Sequence, residues 1–172
     1  MEPLSGEITF RVYYPGSVKK KSQQVNKKEG AGANCSCPQP PVCFRNCWCP
    51  ANNCPKDLTP TYTKADHIIV HHSAGTNSSN NWAAVVSSIW DFHVNTNGWD
   101  DIGYNWLIDP DGVIYEGRGD SVQGAHFSCM NTETTGICLL GNFVNTAPAD
   151  SAIGSLVKMV AWEGCDKNIA PA

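Results

Sequence analysis

Past Thr61 the hydrophobic period of the chain switches repeatedly between that of a strand and that of a helix, and this alternation restricts the fold more than any other feature. His67–Ser73 has the apolar character of a short buried strand. Asn77–Asn81 offers several helix caps, after which Ala83, Val86 and Trp90, beside Val85, Ile89 and Phe92, recur at three- and four-residue steps. The spacing predicts a helix over 82–95, ended by Asn97-Gly98. Tyr104–Ile108 and Val113–Glu116 then read as the two strands of a hairpin around Pro110-Asp111-Gly112. Thr135–Gly141 is a further apolar, partly β-branched strand. Pro148 opens a last helix in which Ala152, Ile153, Leu156, Val157, Val160 and Ala161 repeat at helical spacing. Strands interleaved with helices bury their apolar faces best as one sheet with helices packed on it, so the expected class is α/β, a central mixed β-sheet flanked by helices. No internal repeat is apparent.

The first third of the chain has a different texture. In residues 1–15 the alternation of Ile8, Phe10 and Val12 predicts an isolated strand, or the tail of an upstream module. Residues 16–34 are polar and carry Lys19, Lys20, Lys21, Lys27 and Lys28 without periodicity, which predicts a linker. Residues 35–60 form a Cys-rich segment leading into the domain at 61–172. Six of the nine cysteines fall between Cys35 and Cys54. In an oxidising setting they allow up to three disulfides, in any of about fifteen connectivities. The alternative is a structural zinc, for which Cys43-x-x-x-Cys47 has a suitable spacing while Cys35-x-Cys37 and Cys47-x-Cys49 are tight. Disulfides are the favoured reading, and they imply an extracellular or cell-envelope location. The first sixteen residues lack the basic and apolar regions of a secretory leader, so the expectation is unconventional export or an N-terminus further upstream.

A length of 172 residues suits one domain with a short appendage. Charged residues make up 16% of the chain, and from Cys35 onward six Lys/Arg face thirteen Asp/Glu, a net charge of −7. Nucleic-acid binding requires a basic footprint that this region lacks, so no nucleic-acid partner is expected. The longest apolar runs, such as Ile137–Leu140, are far too short to span a membrane. A monomer is expected.

Function is carried by five short words in order: Ile68-Ile69-Val70-His71-His72-Ser73-Ala74-Gly75; Gly98-Trp99-Asp100-Asp101-Ile102-Gly103-Tyr104-Asn105; Tyr115-Glu116-Gly117-Arg118-Gly119; Gly124-Ala125-His126; and Gly136-Ile137 with Gly141-Asn142-Phe143. Together with Arg45-x-x-Trp48 they resemble the peptidoglycan recognition protein family, which shares its fold with zinc-dependent N-acetylmuramoyl-L-alanine amidases of the phage-lysozyme type. The resemblance runs from about Cys43 to the end. It implies a groove above the sheet for the muramyl-peptide stem of bacterial peptidoglycan and, in active members, hydrolysis of the amide between the lactyl group of muramic acid and L-Ala.

The resemblance also implies a Zn2+ ion held by two His and one Cys, of which His71 is the first ligand. Strand alternation agrees with that placement, setting His67, Ile69 and His71 on one face and Ile68, Val70 and His72 on the other. His72 would then support the ligand or pack. Read without the resemblance, a His-His pair is more simply a hydrogen-bonded structural feature. Tyr104 matches the tyrosine that active members place near the metal, where a phenol donor can stabilise a developing oxyanion. His126 and Asn131 fall where the family lines its groove, with Arg118 in the adjoining hairpin; Arg118 and Asn131 could equally cap loops. His93, on the amphipathic helix, is expected at the groove rim or in packing. Members that prefer diaminopimelate-type stems carry Gly-Trp where this chain has Gly119-Asp120. The family's other two ligands come from a Gly-His-Arg and a Cys-Pro-Gly segment after the last helix, and neither segment occurs in the 172 residues. The expectation is a truncated amidase whose remaining ligands lie beyond Ala172. The alternative is a recognition protein that binds peptidoglycan without cleaving it.

Overall fold

The computed structural model describes residues 37–50 and 53–169. The expected strand in 1–15, the linker at 16–34 and Cys35 lie outside the described residues. Five strands form one sheet: β1 (Val42–Cys43), β2 (His67–His72), β3 (Trp106–Ile108), β4 (Ile114–Glu116) and β5 (Thr134–Leu139). Their spatial order is β1-β4-β3-β5-β2. Only the β3–β4 hairpin is antiparallel; β1 with β4, β3 with β5 and β2 with β5 pair in parallel, so the sheet is mixed as expected. Helices α1 (Arg45–Trp48), α2 (Trp82–Asp91) and α3 (Asp150–Asp166) complete the fold.

The pleat sorts side chains into two cores. Leu107, Tyr115 and Cys138 face one side, where Trp48 of α1 and Trp82, Val86 and Trp90 of α2 cover them. Their neighbours Trp106, Ile108, Ile114, Ile137 and Leu139 face the other side, under Ala152, Leu156 and Met159 of α3. Every strand in the middle of the sheet is therefore apolar on both faces, as a sheet sandwiched between helices requires. Each large side chain withdrawn from water in this way contributes about 1.5–3 kcal/mol.

Several element boundaries differ from the sequence reading. Helix α2 stops at Asp91, and Phe92–Thr96 form a wider π turn before Gly98 takes a φ of +71°. Strand β3 begins at Trp106 because the carbonyl of Asn105 accepts from both Gly117 and Gly119, which breaks the ladder at that point. Helix α3 begins at Asp150, and β5 runs from Thr134 to Leu139.

The described residues of the Cys-rich segment pack against the sheet. Val42–Cys43 extends the sheet as an edge strand and Arg45–Trp48 makes one helical turn. Disulfides Cys43–Cys47 and Cys49–Cys54 staple the segment, so the cysteine pair with zinc-like spacing is covalently closed. Arg45 fixes it to the sheet. Its buried guanidinium donates to both carboxylate oxygens of Asp101, at 2.9 and 2.7 Å, and to the carbonyls of Gly117 and Cys54. Trp48 donates its indole N–H to the carbonyl of Glu116 at 2.8 Å.

Candidate functional site

The parallel pairing of β2 with β5 sets His71 opposite Cys138, at the end of β2. Strand alternation turns His71 toward the α2 side of the sheet, where its ring lies 5.6 Å from that of Tyr104 and 5.1 Å from that of His126. His72 points the other way and accepts the backbone N–H of Phe143 at Nδ1, 3.0 Å away, which ties β2 to the loop after β5. The two faces expected from the sequence are the faces observed.

His71 Nε2 and His126 Nδ1 are 3.0 Å apart, a hydrogen bond in which one ring nitrogen donates and the other accepts. This contact exists because two glycines leave room for the second imidazole. A Cβ on Gly136 of β5 would sit 2.4 Å from His126 Cδ2, and one on Gly124 would meet the same atom at 2.4 Å. His126 Nε2 is buried with no hydrogen-bond partner among the described residues.

Burial sets the protonation states. It pushes His126 down to about 4, with the charges of His71 and Arg118 adding to the effect. It also lowers His71, helped by His72, and takes His93 down to about 4, helped by Arg118. The same burial raises the Tyr104 phenol above its ordinary range. At neutral pH the site thus presents three neutral imidazoles and a protonated phenol, a set able both to donate and to accept hydrogen bonds.

The remaining expected residues lie around this group, holding it in place. His93 is buried against Tyr104 and Trp99, with ring centroids 5.7 and 4.6 Å away, and its Nδ1 accepts the N–H of Gly103 at 3.0 Å. Arg118 donates to three backbone carbonyls, those of Ile102 at 2.8 Å, Gln123 at 3.0 Å and Asp101 at 3.3 Å. Asn131 Oδ1 accepts the N–H groups of His126 and Phe127, at 3.0 and 2.8 Å, and so caps the turn that carries His126. A residue that sequence reasoning did not single out for a role is Asn105. Buried to 1% exposure, it accepts the N–H of Gly136 at 2.9 Å and donates to the carbonyls of Gly119 and Val122 at 3.0 and 2.7 Å. Its signal in the sequence was its place beside Tyr104.

A zinc ion does not fit the described residues as they stand. No group of three His, Cys, Asp or Glu side chains converges among them. The Nε2 atom of His71 is engaged by His126, and the nearby thiol of Cys138 is wholly buried, its burial pushing it up to about 12.

Comparison with known proteins gives this geometry a family. The profile of the N-acetylmuramoyl-L-alanine amidase family matches residues 61–172. Peptidoglycan-recognition protein SC2 of Drosophila melanogaster is 43% identical over 88 residues, 50% of this chain and 47% of that protein. Human peptidoglycan recognition protein 3 is 36% identical over 131 residues, 73% of this chain and 37% of that protein. The chain thus matches about half or less of the length of these curated relatives. Among solved structures, Drosophila peptidoglycan recognition protein SA superposes with a TM-score of 0.68 at 28% identity, covering 76% of each chain. An endolysin N-acetylmuramoyl-L-alanine amidase from Clostridium intestinale superposes with a TM-score of 0.65 at 25% identity, covering 77% of this chain and 79% of its own. Fold, ordered words and profile agree, and the chain belongs to the N-acetylmuramoyl-L-alanine amidase family, among whose members are peptidoglycan recognition proteins.

Proposed function

We propose that this protein acts on bacterial peptidoglycan, taking the muramyl-peptide stem against the surface made by His71, Tyr104 and His126, and that it derives from an amidase of the lactyl–L-Ala bond. The observation that carries the reading is the side-by-side placement of His71, His126 and Tyr104 by β2, the turn between β4 and β5, and the loop before β3. A stem peptide offers amide N–H and C=O groups in alternation. Neutral imidazoles and a protonated phenol can meet both kinds, and the phenol can donate to an amide carbonyl oxygen. Among solved relatives, a mutant of Drosophila PGRP-LB in complex with tracheal cytotoxin has a TM-score of 0.66 at 28% identity, which supports a ligand of this class. The two disulfides suit an oxidising, extracellular setting.

The described residues do not by themselves assemble a three-ligand zinc site, so the amidase reading and the alternative, a recognition protein that binds without cleaving, are separated by one assay. The test incubates the chain with insoluble peptidoglycan and, separately, with a soluble muramyl pentapeptide, with added zinc or with a chelator. Sedimentation measures binding and mass spectrometry measures released stem peptide. Binding with no release supports the recognition reading, and zinc-dependent release that His71→Ala abolishes supports the amidase. Absence of binding to either material overturns both.

A further inference from the structure

At the C-terminal end of α3, on the side of the sheet away from His71, a set of charges is buried that the stem-peptide surface does not use. Glu163 is 0% exposed. Its Oε1 accepts the indole N–H of Trp106 on β3 and, at 3.5 Å, the hydroxyl of Thr135 on β5. Its Oε2 lies 2.7 Å from the Nζ of Lys167, whose side chain is only 6% exposed. That ammonium stands 5.6 Å over the Trp162 ring and has Asp166 at 3.6 Å. Its remaining partner is far away in sequence: it donates to the carboxylate of Asp120, in the loop between β4 and β5.

Buried charges are a poor means of holding a helix on a sheet, because apolar side chains of the same volume do it as well without the desolvation cost. Their best use is to select one geometry among several. The segment that needs such selection is the one Lys167 reaches. Asp120 lies between Gly119 and Ser121, with φ of +84° and +56°, and the second is a left-handed conformation that a serine disfavours. Local preference therefore does not keep the turn in this shape. Asn105 and Arg118 hold the carbonyls of Gly119, Val122 and Gln123 on either side of Asp120, and the Asp120 carboxylate is the turn's ion pair with α3. The same segment runs on through Gly124 to His126. We propose that Lys167 and Asp120 are positioning residues for the stem-peptide surface: the Glu163–Lys167–Asp120 chain of charges ties α3 to this turn and so sets where the His126 imidazole stands against His71. The effect on a ligand rests on the peptidoglycan reading above; the effect on the ring does not.

The test takes two readouts from the 172-residue chain: calorimetric titration with a soluble muramyl pentapeptide, and the NMR shifts of the His126 ring nitrogens. Asp120→Ala cuts the link at its exposed end and leaves the Glu163–Lys167 pair whole. Lys167→Met is made together with Glu163→Gln, so that no unpaired charge stays buried and the Trp106 N–H keeps an acceptor. Both variants should shift the His126 resonances, leave those of the exposed His67 at the other end of β2 in place, and weaken pentapeptide binding about fivefold. Combining them should weaken binding no further, because each cuts the same link. Unmoved His126 resonances overturn the proposal, even where the unfolding midpoint falls, since the cluster would then serve stability alone. Losses of affinity that multiply on combination also overturn it, because Asp120 would then meet the ligand itself. Failure of the unaltered chain to bind the pentapeptide overturns the peptidoglycan reading instead, while the His126 resonances still decide whether α3 positions the ring.

Discussion

Asn105→Ala is expected to destabilise the domain by about 3 kcal/mol, through three backbone groups and no lost apolar contact. Each of the three has a different exposure to water. The N–H of Gly136 lies in the middle of β5 under the His126 ring, where no solvent reaches it, and leaving it unpaired costs about 1–2 kcal/mol. The carbonyl of Gly119, on a buried residue, forfeits about 1 kcal/mol or somewhat more. The carbonyl of Val122 lies in a half-buried loop that water can enter, so its loss is about 0.5 kcal/mol. Urea unfolding followed by tryptophan fluorescence reads the sum. With a slope of about 2 kcal/mol/M, the midpoint should fall by about 1.5 M with the slope unchanged. Asn105→Asp is a sharper control: it keeps the acceptor for Gly136 but sets a carboxylate oxygen against two carbonyls, so it should cost at least as much. A loss below about 1 kcal/mol for Asn105→Ala would refute the reasoning, because it would mean that water replaces the amide on all three partners.

Further outcomes follow from the same structure. Gly136→Ala puts a methyl group within 2.4–2.6 Å of the His126 ring, so it should displace that imidazole, cost about 1–3 kcal/mol in thermal or urea unfolding and abolish muramyl-peptide binding by calorimetry. His93 is held neutral down to about pH 4 in the folded chain, whereas the unfolded side chain protonates near its ordinary value of 6.5. Unfolding therefore takes up a proton between those values, and stability should fall as pH is lowered through that window. His93→Asn, which keeps an acceptor for Gly103, should flatten the slope of unfolding free energy against pH near pH 5 by about one proton's worth. Replacing Cys49 and Cys54 together by Ala opens a loop of sequence separation 5 and should cost about 2 kcal/mol in urea unfolding under non-reducing conditions.

The helices and central strands beyond Thr61 were legible because each has one dominant hydrophobic period, and α2, the hairpin and α3 lie within a few residues of where that period put them, whereas β2, read as a buried strand, is a sheet edge without a buried residue. Val42–Cys43 and Arg45–Trp48 were hidden for a physical reason: two residues of strand and one helical turn carry no measurable period, and tertiary contacts hold them. The Arg45 guanidinium on Asp101 and the Cys43–Cys47 bridge supply the order that local propensity does not. Tyr104, His71 and His126 were legible as words, but the hydrogen bond between residues 55 apart depends on register. Ile69 pairs with Gly136 and His71 with Cys138, so the one strand position that must lack a side chain to admit His126 sits a single pleat from His71. Arg118 and Asn131 show the converse. Their residue types predict donors and acceptors near the site, yet composition does not say whether a guanidinium faces a ligand or its own backbone. Here Arg118 closes on the carbonyls of Asp101, Ile102 and Gln123, and Asn131 caps the His126 turn. Under the proposed function both would therefore act on a ligand through the loops that carry Tyr104 and His126. A variant such as Arg118→Lys, which cannot reach three carbonyls with one ammonium, should lower muramyl-peptide affinity and domain stability together. Loss of affinity without loss of stability would mean that the guanidinium meets the ligand itself.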